Sequence, residues 1–376
     1  MKPQKIFLLL LLVYCSFPPN QNSKPKNVIL MIGDGMGVVQ ILSAMYTSKT
    51  PLNFSRFKNI GLMTNHSFDK VVTDSSASAT TIATGEKTYN KAVSVNPNKE
   101  PIKTIFEIAK EKGYSVGVVV TNSITDATPA AFLAHSESRE NHYEIAKDIV
   151  DGEPDIVLGG GKKFFTNRPD SEDLLETLKE KNYEIFLDFS EFKKSNLNNK
   201  KIIGLFDEIN LSPVYKTNPN PESKYYDYLS SKTNFKQTRD FDFLSIATQK
   251  AIEYLEKKGK PYILLIEASQ IDYGGHNKDA NYIIHEVLDF DRAIGTVLDF
   301  AEKFSDTLVI VTADHETGGF AITGGDLKNF KLETQFVSDS HTSTLVPVFS
   351  FGPGSEEFLG IYDNTDIFKK IKKLLF

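Results

Sequence analysis

The chain has 376 residues, with 43 Lys+Arg against 49 Asp+Glu and a formal net charge of −6. Its 40% hydrophobic and 24% charged residues are those of a folded globular protein, which excludes a disordered tail, a collagen-like repeat and a multi-span membrane protein. An isoelectric point of 5.7 argues against a basic nucleic-acid-binding surface, and the single cysteine, Cys15, leaves no intrachain disulfide, Cys-based zinc site or CxxC redox motif.

Residues 1–20 read MKPQKIFLLLLLVYCSFPPN. Lys2 and Lys5 precede the apolar run Ile6 to Val13. Such a run spans about 12 Å as a helix, short of the roughly 20 residues a bilayer needs, so it is the core of a signal peptide. The expectation is an exported protein, periplasmic or anchored to a membrane. Cys15 stands where a lipoprotein is cut and acylated, but Tyr14 before it is not the small residue that such cleavage expects. Lipid anchoring at Cys15 and ordinary cleavage further on both stay open. Loss of residues 1–14 removes two lysines and leaves a charge of −8.

Further along, short apolar runs alternate with helical patterns. Strands are expected at Asn27 to Ile32, Ser115 to Val120, Asp155 to Leu158, Tyr262 to Ile266, Thr307 to Thr312 and Val346 to Phe351. Helices are expected at Ile102 to Lys112, Glu172 to Lys181, Leu244 to Lys257, Asn281 to Phe304 and Asp366 to Leu375. This alternation predicts an α/β fold, a mostly parallel central sheet flanked by helices on both faces. Residues 26–376 form one domain in this reading. The stretch 190–243 lacks periodicity and is expected to be an irregular surface excursion. Ligands of such sheets bind at the carboxyl ends of the strands.

Polar clusters fall at those ends. Asp34 follows the first run, Glu267 ends the fourth with Asp272 and His276 just beyond, and Asp314-His315 follows the fifth. Asp272 and His276, four apart, converge if the segment is helical. Histidine with carboxylates and no cysteine suits zinc, and all-oxygen ligation suits magnesium. Thr73-Asp74-Ser75-Ser76 opens a small-residue helix, and a helix N-terminus can receive an anion.

Taken in order, NVILMIGDGMG (27–37), VTDSSASATTIATGEKTYN (72–90), TDATPAAFLAHSESR (125–139), EASQIDYGGH (267–276), VTADHETGG (311–319) and the late His341 resemble the bacterial alkaline phosphatases over nearly the whole mature chain. The resemblance implies a metal-dependent phosphomonoesterase acting on small-molecule phosphate monoesters, with two Zn2+ and one Mg2+. It implies that Ser75 is the nucleophile and becomes phosphoserine. Asp272, His276 and His341 would form the first zinc site, and Asp34, Asp314 and His315 the second. Asp34, Thr128 and Glu267 would hold magnesium. Arg139 would clamp the phosphate, with Asp126 and Tyr273 beside the metals and the arginine. Zinc suits this chemistry because a serine hydroxyl is a weak nucleophile at neutral pH until its pKa is lowered. Arginine can hold two phosphate oxygens at once, which lysine cannot match.

Tyr273 departs from the family, whose best-studied enterobacterial member has Lys there and whose animal members have His. The 25 residues between His315 and His341 leave no room for the large crown insertion of animal enzymes. Homodimer and monomer both stay open. No Ser-x-Pro-x-Arg occurs, which argues against sulfatase chemistry. A phosphodiesterase or phosphonate hydrolase of the same superfamily, and a non-catalytic metal- or phosphate-binding surface lipoprotein, are the rival readings. His66, His142 and His285 are expected at the surface or an interface, and His135 in a packed structural role.

Overall fold

A computed structural model describes residues 24–216 and 238–376. Residues 1–23, with the leader and Cys15, lie outside the described residues. Among the described residues, ten strands form the central sheet. From one edge they run Gly360–Asp363, Asn59–Thr64, Val346–Phe351, Thr307–Thr312, Asn27–Gly33, Tyr262–Ala268, Ser115–Ser123, Ile156–Gly160, Lys201–Leu205 and Tyr183–Phe186. All are parallel except Val346–Phe351, which runs against both neighbours.

The inner strands read as unbroken apolar runs because both faces are covered. Asn27–Gly33, Thr307–Thr312 and Tyr262–Ala268 are buried at every position. On one face the helices Phe243–Lys257 and Ala280–Phe304 pack on each other and on the central strands, while Ser75–Thr84, Ile105–Glu111 and Ala127–Leu133 form the other layer. The Ala280–Phe304 helix starts where the Asp279 side chain accepts from the Tyr282 amide at 3.1 Å, a side-chain cap for one of the unpaired first-turn donors. None of the described helices is long and apolar enough to cross a membrane.

The expected strands and helices form, two strands with the expected bounds and the others with ends moved by at most three residues. The stretch 190–243 differs from its expectation. Lys201–Leu205 is a strand of the central sheet, paired with Ile156–Gly160 and Tyr183–Phe186. Its five residues, KIIGL, carry too little pattern to separate a buried parallel strand from a loop. Asn210, Leu211 and Ser212, which follow it, are buried. The rest of that stretch includes 217–237, outside the described residues. His142 also departs from expectation: it is buried, stacked on Phe164 with ring centroids 4.4 Å apart.

Candidate active site

The carboxyl ends of four adjacent strands deliver the polar residues to one place. Asn27–Gly33 ends at Asp34, Tyr262–Ala268 carries Glu267 and leads to the Gln270–His276 helix, and Thr307–Thr312 leads into Asp314-His315. Parallel register sets Ile32 beside both Glu267 and Thr312, so these ends lie level. Ser115–Ser123 leads to Asp126 and Thr128. Between Asp34 and the rest the chain makes a close approach at Gly35, whose φ is +71°. A Cβ there would lie 2.8 Å from both Asp272 Cα and Thr317 Oγ1.

His341 is 26 positions after His315 yet returns beside it. The residues between fold back as a hairpin, Phe320–Asp326 against Lys331–Phe336, and His341–Thr342 then pairs antiparallel with Glu316–Thr317. The His315 and His341 rings stack at 3.6 Å. Glu316, buried beneath, accepts from Gln40 Nε2 at 2.6 Å, from the Phe320 amide at 3.1 Å and from the Thr342 hydroxyl.

Two clusters result, Asp272 with His276 and His341, and Asp34 with Asp314 and His315, each with its ligand atoms within 4.8 Å of one another. In the first, His276 Nδ1 meets the Asp339 carbonyl at 2.6 Å and His341 Nδ1 meets the Thr73 carbonyl at 2.9 Å. A carbonyl only accepts, so both Nδ1 atoms carry protons. The two Nε2 atoms then face each other across 3.2 Å beside the Asp272 carboxylate, an arrangement suited to a cation between them. In the second, His315 Nε2 lies 3.3 Å from Asp34 Oδ1 and 3.2 Å from Asp314 Oδ2. The clusters are linked by Thr317, whose hydroxyl donates to Asp272 Oδ1 at 2.5 Å and lies 3.2 Å from His315 Nδ1.

Among the described residues, Asp34 Oδ1, Asp314 Oδ2, Glu267 Oε2 and Thr128 Oγ1 are buried and find no hydrogen-bond partner. Unpartnered buried oxygens are costly and call for cations. The acidities agree. Burial pushes the Glu267 carboxyl up to about 8, helped by the neighbouring Asp126 and Asp314 charges. Burial and then the Asp272 charge push Asp314 up to about 6. Burial, Asp314, Asp272 and Glu267 raise Asp34 well above the carboxylate range. Asp272 goes the other way: burial opposes it, but the His276 and His341 rings hold it low. The donor set of each His-and-carboxylate cluster thus fits a divalent metal ion. Thr128 and Glu267 with Asp34 offer the oxygens a harder cation takes.

Ser75 is the first residue of the Ser75–Thr84 helix, capped by Asp74, whose side chain accepts from the Ala77 amide at 2.9 Å. Its Oγ lies 3.1 Å from His315 Nε2, at the second cluster. Arg139 donates to Asp126 Oδ1 at 2.9 Å and lies 3.5 Å from Asp74 Oδ2. Tyr273 is buried, and its phenol oxygen accepts from Asn122 at 3.3 Å and Asn210 at 2.9 Å. All residues expected from the sequence therefore gather at this edge. Thr317, Glu316, Asn122 and Asn210 were missed: the first two lie inside VTADHETGG and Asn122 in the polar run Thr121–Thr128 after the second expected strand, while Asn210 had no signal.

Carboxylates and histidines at the carboxyl edge of a parallel sheet, facing a serine at a helix start, define a metal-dependent hydrolase. The family model for alkaline phosphatase matches residues 25–336. Alkaline phosphatase 4 of Bacillus subtilis is 32% identical, covering 93% of this chain and 88% of its own. The solved alkaline phosphatase of the Antarctic bacterium TAB5 is 41% identical, covers 94% of this chain and 99% of its own, and superposes with a TM-score of 0.83. A substituted form of that enzyme, with Mg bound in its M3 site, is similar at 41% identity, the same coverage and a TM-score of 0.82. The chain belongs to the alkaline phosphatase family and is a phosphoric monoester hydrolase.

Proposed function

We propose that this chain hydrolyses phosphate monoesters through a phosphoserine at Ser75, with zinc held by Asp272, His276 and His341 and by Asp34, Asp314 and His315, and magnesium by Asp34, Thr128 and Glu267. The observation that carries it is Ser75 Oγ at 3.1 Å from His315 Nε2, beside orphaned carboxylate oxygens and a fixed arginine. The bound cations supply Lewis acidity that lowers the serine pKa and steadies the departing alkoxide.

The chain's own part follows from its geometry. Arg139, oriented by Asp126 and Asp74, clamps two non-bridging phosphate oxygens with its planar guanidinium. The phosphorus then faces Ser75, whose Oγ forms the new P–O bond as the ester P–O bond breaks opposite it. The alcohol leaves with a proton, and water later cleaves the Ser75–phosphate bond in the reverse sense to give inorganic phosphate. Four carboxylates at the site would repel a dianion, and three divalent cations reverse that field, so an acidic protein can take an anionic substrate.

Export belongs to the same proposal, supported by the Lys2–Lys5 and Ile6–Val13 leader. Intact mass of the mature chain distinguishes a lipid-bearing N-terminal Cys15 from cleavage beyond it. For the chemistry, the metal-reconstituted protein is assayed on an aryl monoester and its matching diester. The expected outcome is faster monoester turnover, loss with chelator, and loss of at least about a thousandfold in Ser75→Ala. A faster diester rate, or Ser75→Ala near wild-type, overturns the proposal.

A further inference from the structure

Asn210 lies in the stretch that carries no sequence pattern, yet only 3% of it is exposed. Its Oδ1 accepts from the Ser123 amide at 2.7 Å, at the carboxyl end of the strand that leads to Asp126. Its Nδ2 donates to the Tyr273 phenol at 2.9 Å. The same phenol oxygen accepts from Asn122 Nδ2 at 3.3 Å, and that amide group also donates to Asp126 Oδ2 at 3.0 Å. Asp126 Oδ1 holds Arg139 at 2.9 Å. An unbroken chain of hydrogen bonds thus runs from Asn210 through Tyr273, Asn122 and Asp126 to Arg139.

The outer end of the chain is fixed. The Leu211 carbonyl accepts from Gln270, the Ser212 carbonyl from Arg239 Nη1 at 3.0 Å, and the Val214 amide donates to Glu286 at 2.9 Å. Arg239 itself is buried between Glu286 and Asp289, at 2.6 and 2.7 Å. Asn210 therefore cannot follow a displaced phenol, and it resists rotation of Tyr273.

We propose that Asn210 is a positioning residue for phosphate binding, setting Arg139 through Tyr273, Asn122 and Asp126. This rests on the phosphomonoesterase reading. A phenol oxygen that accepts two amide protons is pinned in direction, and linked bonds strengthen one another in a buried site. Losing the Asn210 arm removes one of the bonds that direct the Tyr273 phenol and, through it, Asn122, so Asp126 holds the guanidinium less firmly. The effect falls on affinity for phosphate and its esters more than on the bond-breaking step.

The test is steady-state kinetics on an aryl monoester, inhibition by inorganic phosphate and a melting curve, for metal-loaded Asn210→Leu, Asn210→Ala, Asn210→Asp and Tyr273→Phe. We expect Asn210→Leu and Asn210→Ala to raise KM and the phosphate inhibition constant together, by about tenfold, with kcat within about threefold. Asn210→Asp keeps an acceptor for Ser123 and an oxygen for the phenol proton, and should recover most of that loss. In a Tyr273→Phe background the Asn210→Ala change should add less than about twofold, because both act on one chain. Equal effects of Asn210→Ala with and without Tyr273 overturn the inference, as does a loss of kcat and melting temperature with KM unmoved. Absence of monoester turnover in the unsubstituted protein would instead overturn the underlying reading.

Discussion

Arg139 and Gly35 show how much the site asks of single side chains. The guanidinium answers Asp126 at 2.9 Å and Asp74 at 3.5 Å with two different nitrogens. A lysine ammonium has the charge but not the planar fork. Arg139→Lys should therefore lower kcat/KM at least tenfold, about 1.4 kcal/mol of transition-state stabilisation, read from initial rates on an aryl monoester. A smaller loss would mean the clamp works as a point charge. Gly35 is demanding in a different way. At φ +71°, with Asp272 and Thr317 closing on it, alanine meets both backbone strain and a clash. Gly35→Ala should weaken metal retention by about tenfold or more, seen by competition with a chromophoric chelator, because Asp272 must move to make room. Unchanged metal retention would show that the close approach is slack.

Individual elements differ in how far their roles could be read ahead of the structure. Asp34 and Asp314-His315 were legible because an apolar run that ends abruptly in a carboxylate marks a strand end, and strand ends are where such sheets bind ligands. For Asp272 and His276 the helical spacing alone favours a surface pair, and their ligand role came from the family resemblance; the Gln270–His276 helix supplies the spacing. Asn210 was not legible, since its place depends on a five-residue strand that pairs far along the chain. His142 was not, since its burial comes from stacking on Phe164, a contact made only in the folded protein. The Ile105–Glu111 helix carries a feature of intermediate kind. Its N-terminus has a reciprocal cap, Glu107 Oε2 accepting from the Thr104 amide at 2.7 Å and the Thr104 hydroxyl accepting from the Glu107 amide at 3.2 Å. The other Glu107 oxygen pairs with His135 Nε2 at 3.2 Å. Burial opposes both charges, but their bond and the backbone contacts win, holding Glu107 down to about 2 and raising His135. A raised histidine contributes stability that is full below about pH 6.5 and lost as pH rises through its folded pKa. A lowered glutamate contributes above about pH 4.5 and loses it on the way down to about 2. The pair is thus strongest between those limits. His135→Gln should cost on the order of 1 kcal/mol at pH 6, discounted for partial exposure, and less at pH 9. Urea unfolding at the two pH values checks this, and an equal cost at both would assign His135 to packing alone.

On the scale of the whole molecule, the sheet gathers acids that the fold alone cannot keep ionised. Glu267 is pushed up to about 8 and Asp314 to about 6, both by burial first. In the unfolded chain these carboxyls ionise near pH 4. Their contribution to stability is therefore full below that pH and lost as pH rises through 6 and then 8 in the metal-free protein. Cations invert the sign, because they bind the deprotonated ligands and bind them only in the folded arrangement. Alkaline conditions thus weaken the empty fold while strengthening its hold on metal, so the protein's stability and its chemistry come to depend on the same ions. Melting temperatures of metal-loaded and chelator-stripped protein, taken at pH 5.5 and pH 9, separate these contributions. The gap between the two forms should widen toward pH 9 by more than about 5 °C. A gap that stays constant, or narrows, would mean that the buried carboxylates are stabilised by the protein itself and that the metals are only catalytic.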